Sequence, residues 1–389
     1  MDDYGSKLKY TQNENVFEVE EIFTNILLRL PVKSLLICKS VCKYWWSLIC
    51  SRSFMNLHLI QSQENPTYVF HRYTLRGGNI HLLTKADGET TESFLPGCPG
   101  FYSKGMICSF NGLICCIDIQ THFLRKWIQR RTPDTHIYNP VIGKGLRRST
   151  LDILVCNPAT QQVLLLPPTP ESKYPGAVGV SFGPTINEYK VFQFFYREMH
   201  LYECWVYSSI TGSWKSIGTI AHCPSGSCNH VCINGIVYWF SISIIDGRLV
   251  GHILAVDREE KFSIIRIPEE ETLNPFLVNL EGCLCLVTLH KLDQNRFDIW
   301  ALQDSKESVW IKKWNDYIPT TFDSEPVRSV AVRKNEILFA NSKLYVFYNM
   351  GTRSWRNFNR DPKHDSEELF SLPMAYTESL LPCNGRIDS

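Results

Sequence analysis

Ile233-Asn234-Gly235-Ile236-Val237-Tyr238-Trp239 reads as the end of one strand, a two-residue turn and the start of a second strand. Asn-Gly readily takes the positive φ that a tight hairpin turn needs, and the flanking residues are β-branched or aromatic. The same design stands at Phe110-Asn111-Gly112-Leu113-Ile114-Cys115, at Leu280-Glu281-Gly282-Cys283-Leu284-Cys285 and at Arg333-Lys334-Asn335-Glu336-Ile337-Leu338-Phe339. A second hairpin, ending in an aromatic residue or Leu-Pro, alternates with it. It is seen from Val155 to Pro167, from Val206 to Trp214, from Ala255 to Phe262 and from Val346 to Trp355. The pair recurs about every 40–50 residues, the spacing of four-stranded propeller blades. One such blade cannot bury both of its faces, so a ring is required. Units are expected over 105–167, 178–218, 230–268, 277–314 and 327–358, with a weaker one over 68–95 closed by a C-terminal strand near 372–381. The fold class is therefore mainly β, a propeller expected to have six blades, with seven as the alternative.

Upstream of the repeats the periodicity is helical. Val19, Ile22, Phe23, Ile26, Leu27 and Leu30 fall at i, i+3, i+4, i+7, i+8 and i+11, the stripe of an amphipathic helix. Pro31 lacks an N–H and suits a first helical turn, so it ends one helix and begins another. That second helix covers about 32–39 with Leu35, Leu36 and Cys38, and a third covers about 42–50 with Trp45, Leu48 and Ile49 on one side. Ser51-Arg52-Ser53-Phe54 then leads into a short last turn with Leu57 and Leu59. The organisation expected is a polar, disordered 1–15, a small helical module over 16–60, the β domain over 68–382 and a tail over 383–389.

The bulk numbers agree with this division. A chain of 389 residues suits a small module plus a large one, at roughly 100–200 residues per domain. Hydrophobic residues make up 44% and charged residues 20%, which describes a folded protein. The net charge of +1 gives no global field to attract nucleic acid or a membrane. The 15 cysteines are scattered without a disulfide spacing, and no Asn-x-Ser/Thr acceptor with x other than Pro occurs. The polar start Met1-Asp2-Asp3-Tyr4-Gly5-Ser6 has no apolar h-region, so no signal peptide is expected. A reducing compartment, cytoplasm or nucleus, follows, with most thiols acting as small buried hydrophobes.

The stretch Leu30-Pro31-Val32-Lys33-Ser34-Leu35-Leu36 with Val41-Cys42-Lys43-Tyr44-Trp45-Trp46-Ser47-Leu48-Ile49 resembles the F-box. That segment docks a substrate receptor onto the Skp-type adaptor of a cullin ubiquitin ligase. The repeat region resembles the F-box-associated domain, a kelch-like propeller, of plant F-box proteins. It does so at Cys156-Asn157-Pro158-Ala159-Thr160 before Leu-Leu-Pro-Pro, at Val180-Ser181-Phe182-Gly183 with Glu188-Tyr189-Lys190-Val191, and at Val206-Tyr207-Ser208 through Ser213-Trp214. The resemblance covers about 16–382. Two stretches depart from the family pattern. Phe17-Glu18-Val19-Glu20-Glu21 lacks the usual Leu-Pro opening, and the segment 119–150 is longer than the usual turn.

An ordinary helical cap on a propeller needs one apolar face. Here the apolar residues exceed that, and surplus apolar surface marks a partner interface. The adaptor contacts expected are Leu30, Pro31, Val32, Leu35, Leu36, Val41, Cys42, Trp45, Leu48 and Ile49, with Trp45 as anchor. Through the adaptor, the resemblance implies a cullin as second partner. The long segment carries Arg125, Lys126, Arg130, Arg131, Lys144, Arg147 and Arg148 against the single acid Asp134, with Trp127 among them. A solvated loop explains it first; contact of Arg125, Lys126, Trp127, Arg130 and Arg131 with an acidic protein target is the functional alternative.

The stretch from His222 and Cys223 to Cys228, His230 and Cys232 has zinc-ligand residue types, but the four-residue gap between the first two cysteines is not that of a usual zinc knuckle. No metal or cofactor is expected. Cys283 and Cys285 read as core. The chain lacks His-Glu-x-x-His, a phosphate loop and Gly-x-Gly-x-x-Gly, and so reads as a non-enzyme. The function expected is substrate recognition for an SCF-type ubiquitin ligase, with an unknown protein target, no nucleic acid and no membrane. The alternatives are a scaffold whose divergent F-box no longer binds the adaptor, or a carbohydrate-binding or enzymatic propeller.

Overall fold

The computed structural model describes residues 20–74, 82–85, 90–91, 104–119, 151–170, 175–183, 188–198, 201–222, 224, 230–245, 248–268, 272–290, 296–319, 327–341, 344–359, 368–370 and 373–384. Four helices come first: α1 over 20–28, α2 Val32–Cys38, α3 Lys43–Cys50 and α4 Arg52–Gln63. Pro31 sits extended at the start of α2, with φ −65° and ψ 154°. Cys42 Sγ caps α3 by accepting from Trp45 N, and Ser51 Oγ caps α4 by accepting from Phe54 N. The Ser51 cap turns the expected short last turn into a helix of 12 residues.

The rest is a ring of antiparallel sheets. Its first strands are β1 Thr67–Thr74, β2 Leu82–Lys85 and β3 Thr90–Thr91. Blade 1 then follows with β4 Lys104–Phe110, β5 Leu113–Ile119, β6 Leu151–Asn157 and β7 Gln162–Leu165. Blade 2 is β8 Pro175–Phe182, β9 Tyr189–Glu198, β10 Leu201–Ser208 and β11 Ser213–Ile220. Blade 3 is β12 His230–Ile233, β13 Ile236–Ile245, β14 Arg248–Val256 and β15 Phe262–Arg266. Blade 4 is β16 Thr272–Leu280, β17 Cys283–His290, β18 Arg296–Asp304 and β19 Val309–Tyr317. Blade 5 is β20 Ser329–Arg333, β21 Glu336–Ala340, β22 Leu344–Asn349 and β23 Ser354–Asn359. Last come β24 Glu368–Phe370 and β25 Met374–Tyr376.

Five blades are thus regular, each a four-stranded meander from one stretch of chain. The remaining sheet is not a sixth blade of that kind. It has five strands drawn from both ends of the described chain, with β24 and β25 lying in turn along the same edge of β1. The expected count of six blades is corrected to five, and the weaker unit expected over 68–95 with a C-terminal strand near 372–381 is this composite closure. The physical reason is that the last sector is zipped by hydrogen bonds between residues about 300 positions apart, such as Thr67 with Tyr376.

Strands β4, β8, β12, β16, β20 and the β25 segment line an axial cavity of about 330 Å³; among the described residues His230 is its one titratable side chain besides thiols. Between sheets, the core is aromatic. Trp239 of blade 3 is fully buried edge-on against Phe192 and Phe194 of blade 2. The indoles of Trp214 and Trp310 donate to the carbonyls of Pro167 and Arg266, each on the preceding blade. Glu260 of blade 3 accepts from Lys190 and Lys215 of blade 2. Burial would raise the Glu260 carboxyl, but these two ammonium groups hold it below its ordinary value.

Candidate docking site

The helical module builds a core of its own from Leu27, Val32, Leu35, Ile49, Phe54, Met55 and Leu59. His58, buried in α4, ties the chain break before α2 through Nε2 to the Leu30 carbonyl at 3.0 Å. Side by side, α1 and α3 meet through Phe23 and Trp45, ring centroids 5.2 Å apart, and through Tyr44 and Glu20.

This packing sorts the expected docking residues into three groups. Val32, Leu35 and Ile49 are each 0% exposed, so they fill the module's interior and have no surface to offer; their expected contact role is corrected to a structural one. Leu30, Leu36, Trp45 and Leu48 are half-buried and pack against that core. Pro31, Val41 and Cys42 are exposed. Outside the expected set, Ile22, Phe23 and Ile26 on α1, Ile37 on α2, and Tyr44 and Trp46 on α3 are also exposed. The signal for Ile37 was present, since Leu35-Leu36-Ile37-Cys38 is apolar around the whole turn and one face of it must look outward. Nine of the seventeen large apolar side chains exposed among the described residues lie between Ile22 and Ile60.

The module sits on one rim of the ring. Gln63 of α4 donates to Asn111 in the β4–β5 turn, Ala159 of the β6–β7 turn packs on the helical core, and Arg333 and Lys334 donate to Pro66 O and Asn65 Oδ1. This is the rim of the two-residue turns. Because the blades are antiparallel, the connections β5–β6, β9–β10, β13–β14, β17–β18 and β21–β22 leave from the opposite rim. The basic segment with Arg125, Lys126, Trp127, Arg130 and Arg131 lies outside the described residues; its anchors Ile119 and Leu151 are paired at that opposite rim.

The histidines and thiols of the zinc-like stretch diverge. His222 Nδ1 meets Ser243 Oγ at 2.9 Å, and the same hydroxyl meets His252 Nε2 at 3.2 Å. His230 Nε2 instead accepts from Val180 N on the axial side, and Cys232 Sγ points to Phe182 O. Cys223 and Cys228 lie outside the described residues, and no group of three metal-ligating side chains occurs among those described. Burial pushes the Cys115 and Cys204 thiols well up and Cys285 up to about 12, so these are inert core groups rather than thiolate nucleophiles. Cys283, expected in the core, is exposed at the start of β17.

Comparison with known proteins agrees with the two modules. An F-box domain matches residues 19–57, and an F-box associated beta propeller domain matches 85–372. An F-box protein of Arabidopsis thaliana is 28% identical over 325 residues, covering 79% of this chain and 74% of the relative. An F-box/LRR-repeat protein of the same plant is 26% identical over 403 residues, covering 95% of this chain and 84% of the relative. With helices that carry an apolar surface on one rim and a propeller behind them, the chain belongs to the F-box proteins with an F-box-associated β-propeller domain.

Proposed function

We propose that this protein is the substrate-recognition subunit of an SCF-type ubiquitin ligase. The observation that carries the reading is the concentration of exposed apolar side chains on α1–α3, on the outer side of a module whose interior is already filled. A Skp-type adaptor would cover Ile22, Ile26, Ile37, Val41, Tyr44 and Trp46, and a cullin would join through it. The protein target would be met by the opposite rim, which the helices leave free and from which the basic segment departs. Catalysis by proximity needs no reacting group from the receptor: holding the target beside a charged conjugating enzyme raises the effective concentration of its lysines. A reducing compartment, cytosol or nucleus, belongs to the same reading and is supported by the free thiols among the described residues.

The test is co-purification of the full chain with a plant Skp-type adaptor and cullin, followed by ubiquitin transfer in the presence of charged conjugating enzyme. A stoichiometric complex that ubiquitinates a captured protein is the expected result. Failure to form the complex at micromolar concentration, with the chain folded, overturns the reading in favour of a scaffold.

A further inference from the structure

After β25 the chain crosses from the closing sheet onto the helical module as an irregular strap over 377–384. Leu380 and Leu381 enter the helical core and are its only buried members outside residues 27–59 among those described. Ser379, Leu380, Leu381 and Cys383 are all buried.

Three turns or strand starts of blades 1 and 2 hold the strap down. Gly112, at φ +81°, lies directly under Ser379, and a Cβ there would stand 2.2 Å from Ser379 Oγ. Asn157 donates through Nδ2 to both Ser379 O at 2.9 Å and Leu381 O at 2.8 Å, while its Oδ1 accepts from Ala159 N and Thr160 N. Tyr189 donates its hydroxyl to Cys383 O at 2.6 Å, and Cys383 Sγ reaches Gln162 O. These are the Asn-Gly, Asn-Pro and Glu-Tyr-Lys motifs of the sequence, whose individual purpose the docking reading leaves open. Among the described residues, the other ties between module and ring are the packing of Ala159 on the helical core and exposed or half-exposed polar contacts at Gln63, Asn65 and Pro66, and polar ties of that kind contribute little rigidity in water.

We infer that the strap 377–384 is a lock: Gly112, Asn157 and Tyr189 seat it on the propeller, and Leu380 and Leu381 pin the F-box helices to it at one fixed angle. The lock belongs to the free chain; its use, setting the distance from adaptor to target, rests on the receptor reading above.

The experiment uses the full chain without adaptor or target, so that its outcome is separate from the receptor reading. Hydrogen exchange is followed by mass spectrometry, and a distance distribution is measured between labelled unnatural residues at the exposed positions 57 and 309. In Leu380→Ser/Leu381→Ser, exchange over 20–63 should quicken at least tenfold and the distance distribution should broaden, with exchange over blades 2–5 unchanged. Wild-type exchange over 20–63 together with a wild-type distribution overturns the lock. Should that variant loosen the blades as well, Tyr189→Phe decides, since it removes one hydroxyl at the propeller end of the strap. Faster exchange over 377–384 with a wider distribution supports the inference, and no change in either overturns it.

Discussion

Ile37 and Val41 separate docking from folding most cleanly. They are 71% and 61% exposed, so replacing both with Gln removes apolar surface that the free chain never buried. Complete burial of such a side chain is worth about 1.5–3 kcal/mol, of which about two-thirds, or about 1–2 kcal/mol each, is still unrealised at these exposures. If the adaptor covers both, the pair should weaken binding by about 2–4 kcal/mol, roughly 30- to 1,000-fold in Kd. Leu35→Ala acts by another route. Its side chain is 0% exposed, so its loss should destabilise the helical module by about 2–5 kcal/mol through cavity formation. The assay is calorimetric titration of the adaptor into each variant, paired with hydrogen exchange over 20–63. The Ile37→Gln/Val41→Gln chain should keep its protection and lose affinity; Leu35→Ala should lose both together. An affinity within threefold of wild type in the double variant would refute the assignment of this face. Lost affinity with full protection in Leu35→Ala would restore that residue to the contact set.

Two further outcomes test the propeller. Burial, then the neighbouring His222, lowers the buried His252 imidazole from 6.5 to about 4. The unfolded chain therefore takes up this proton first, and stability should be full above pH 6.5, fall between pH 6.5 and 4, and level off below. At pH 5 the loss from this group should reach up to about 2 kcal/mol, and denaturant titrations of His252→Gln should lack that component; an unaltered pH slope would refute it. Gly179 faces the Trp239 ring, where a Cβ would lie 2.3 Å from Cζ2. Gly179→Ala should thus destabilise the blade 2–blade 3 seam by about 1–3 kcal/mol. Combining it with Trp239→Phe should give less than the sum of the single effects, and strict additivity would show that the two positions do not compete for space.

Much of the architecture could be read from local pattern because a blade is a local object. The turns at Asn111-Gly112, Asn234-Gly235 and Glu281-Gly282 close hairpins with positive φ at both central residues. The expected unit 230–268 differs from the observed 230–266 by two residues. What escaped was set at long range. Apolar periodicity marked Val32, Leu35 and Val41 alike, yet the inward face of each short helix is chosen by what packs on it, and part of that packing is Leu380 and Leu381. The composite closure of 68–95 by a C-terminal strand was legible, but its register was not, being fixed by β24 and β25 against β1 rather than by a turn. Ser51 is the local exception: Ser-x-x-Phe carries an N-cap, but without a following acidic residue it signals only a short last turn rather than the 12-residue helix observed.

The motifs that make the propeller recognisable serve the strap at least as much as the blades. An Asn-Gly turn needs glycine at Gly112 for its own φ, yet the second demand there, clearance beneath Ser379, is absent at Gly282, where nothing stands within 4 Å. Asn157 would cap its turn as well with an Asp, since that needs only the Oδ1 acceptor; the two Nδ2 hydrogen bonds to the strap carbonyls are what require an amide. Tyr189 would fill its place between Phe110 and Tyr207 without a hydroxyl, which is used on Cys383 O. Each residue thus satisfies a local rule and a long-range one, and the long-range one is the more restrictive. These motifs gather on the rim that carries the helices, so they describe how the two modules are coupled. Among the described residues, the opposite rim carries none of the three strap contacts at Gly112, Asn157 and Tyr189.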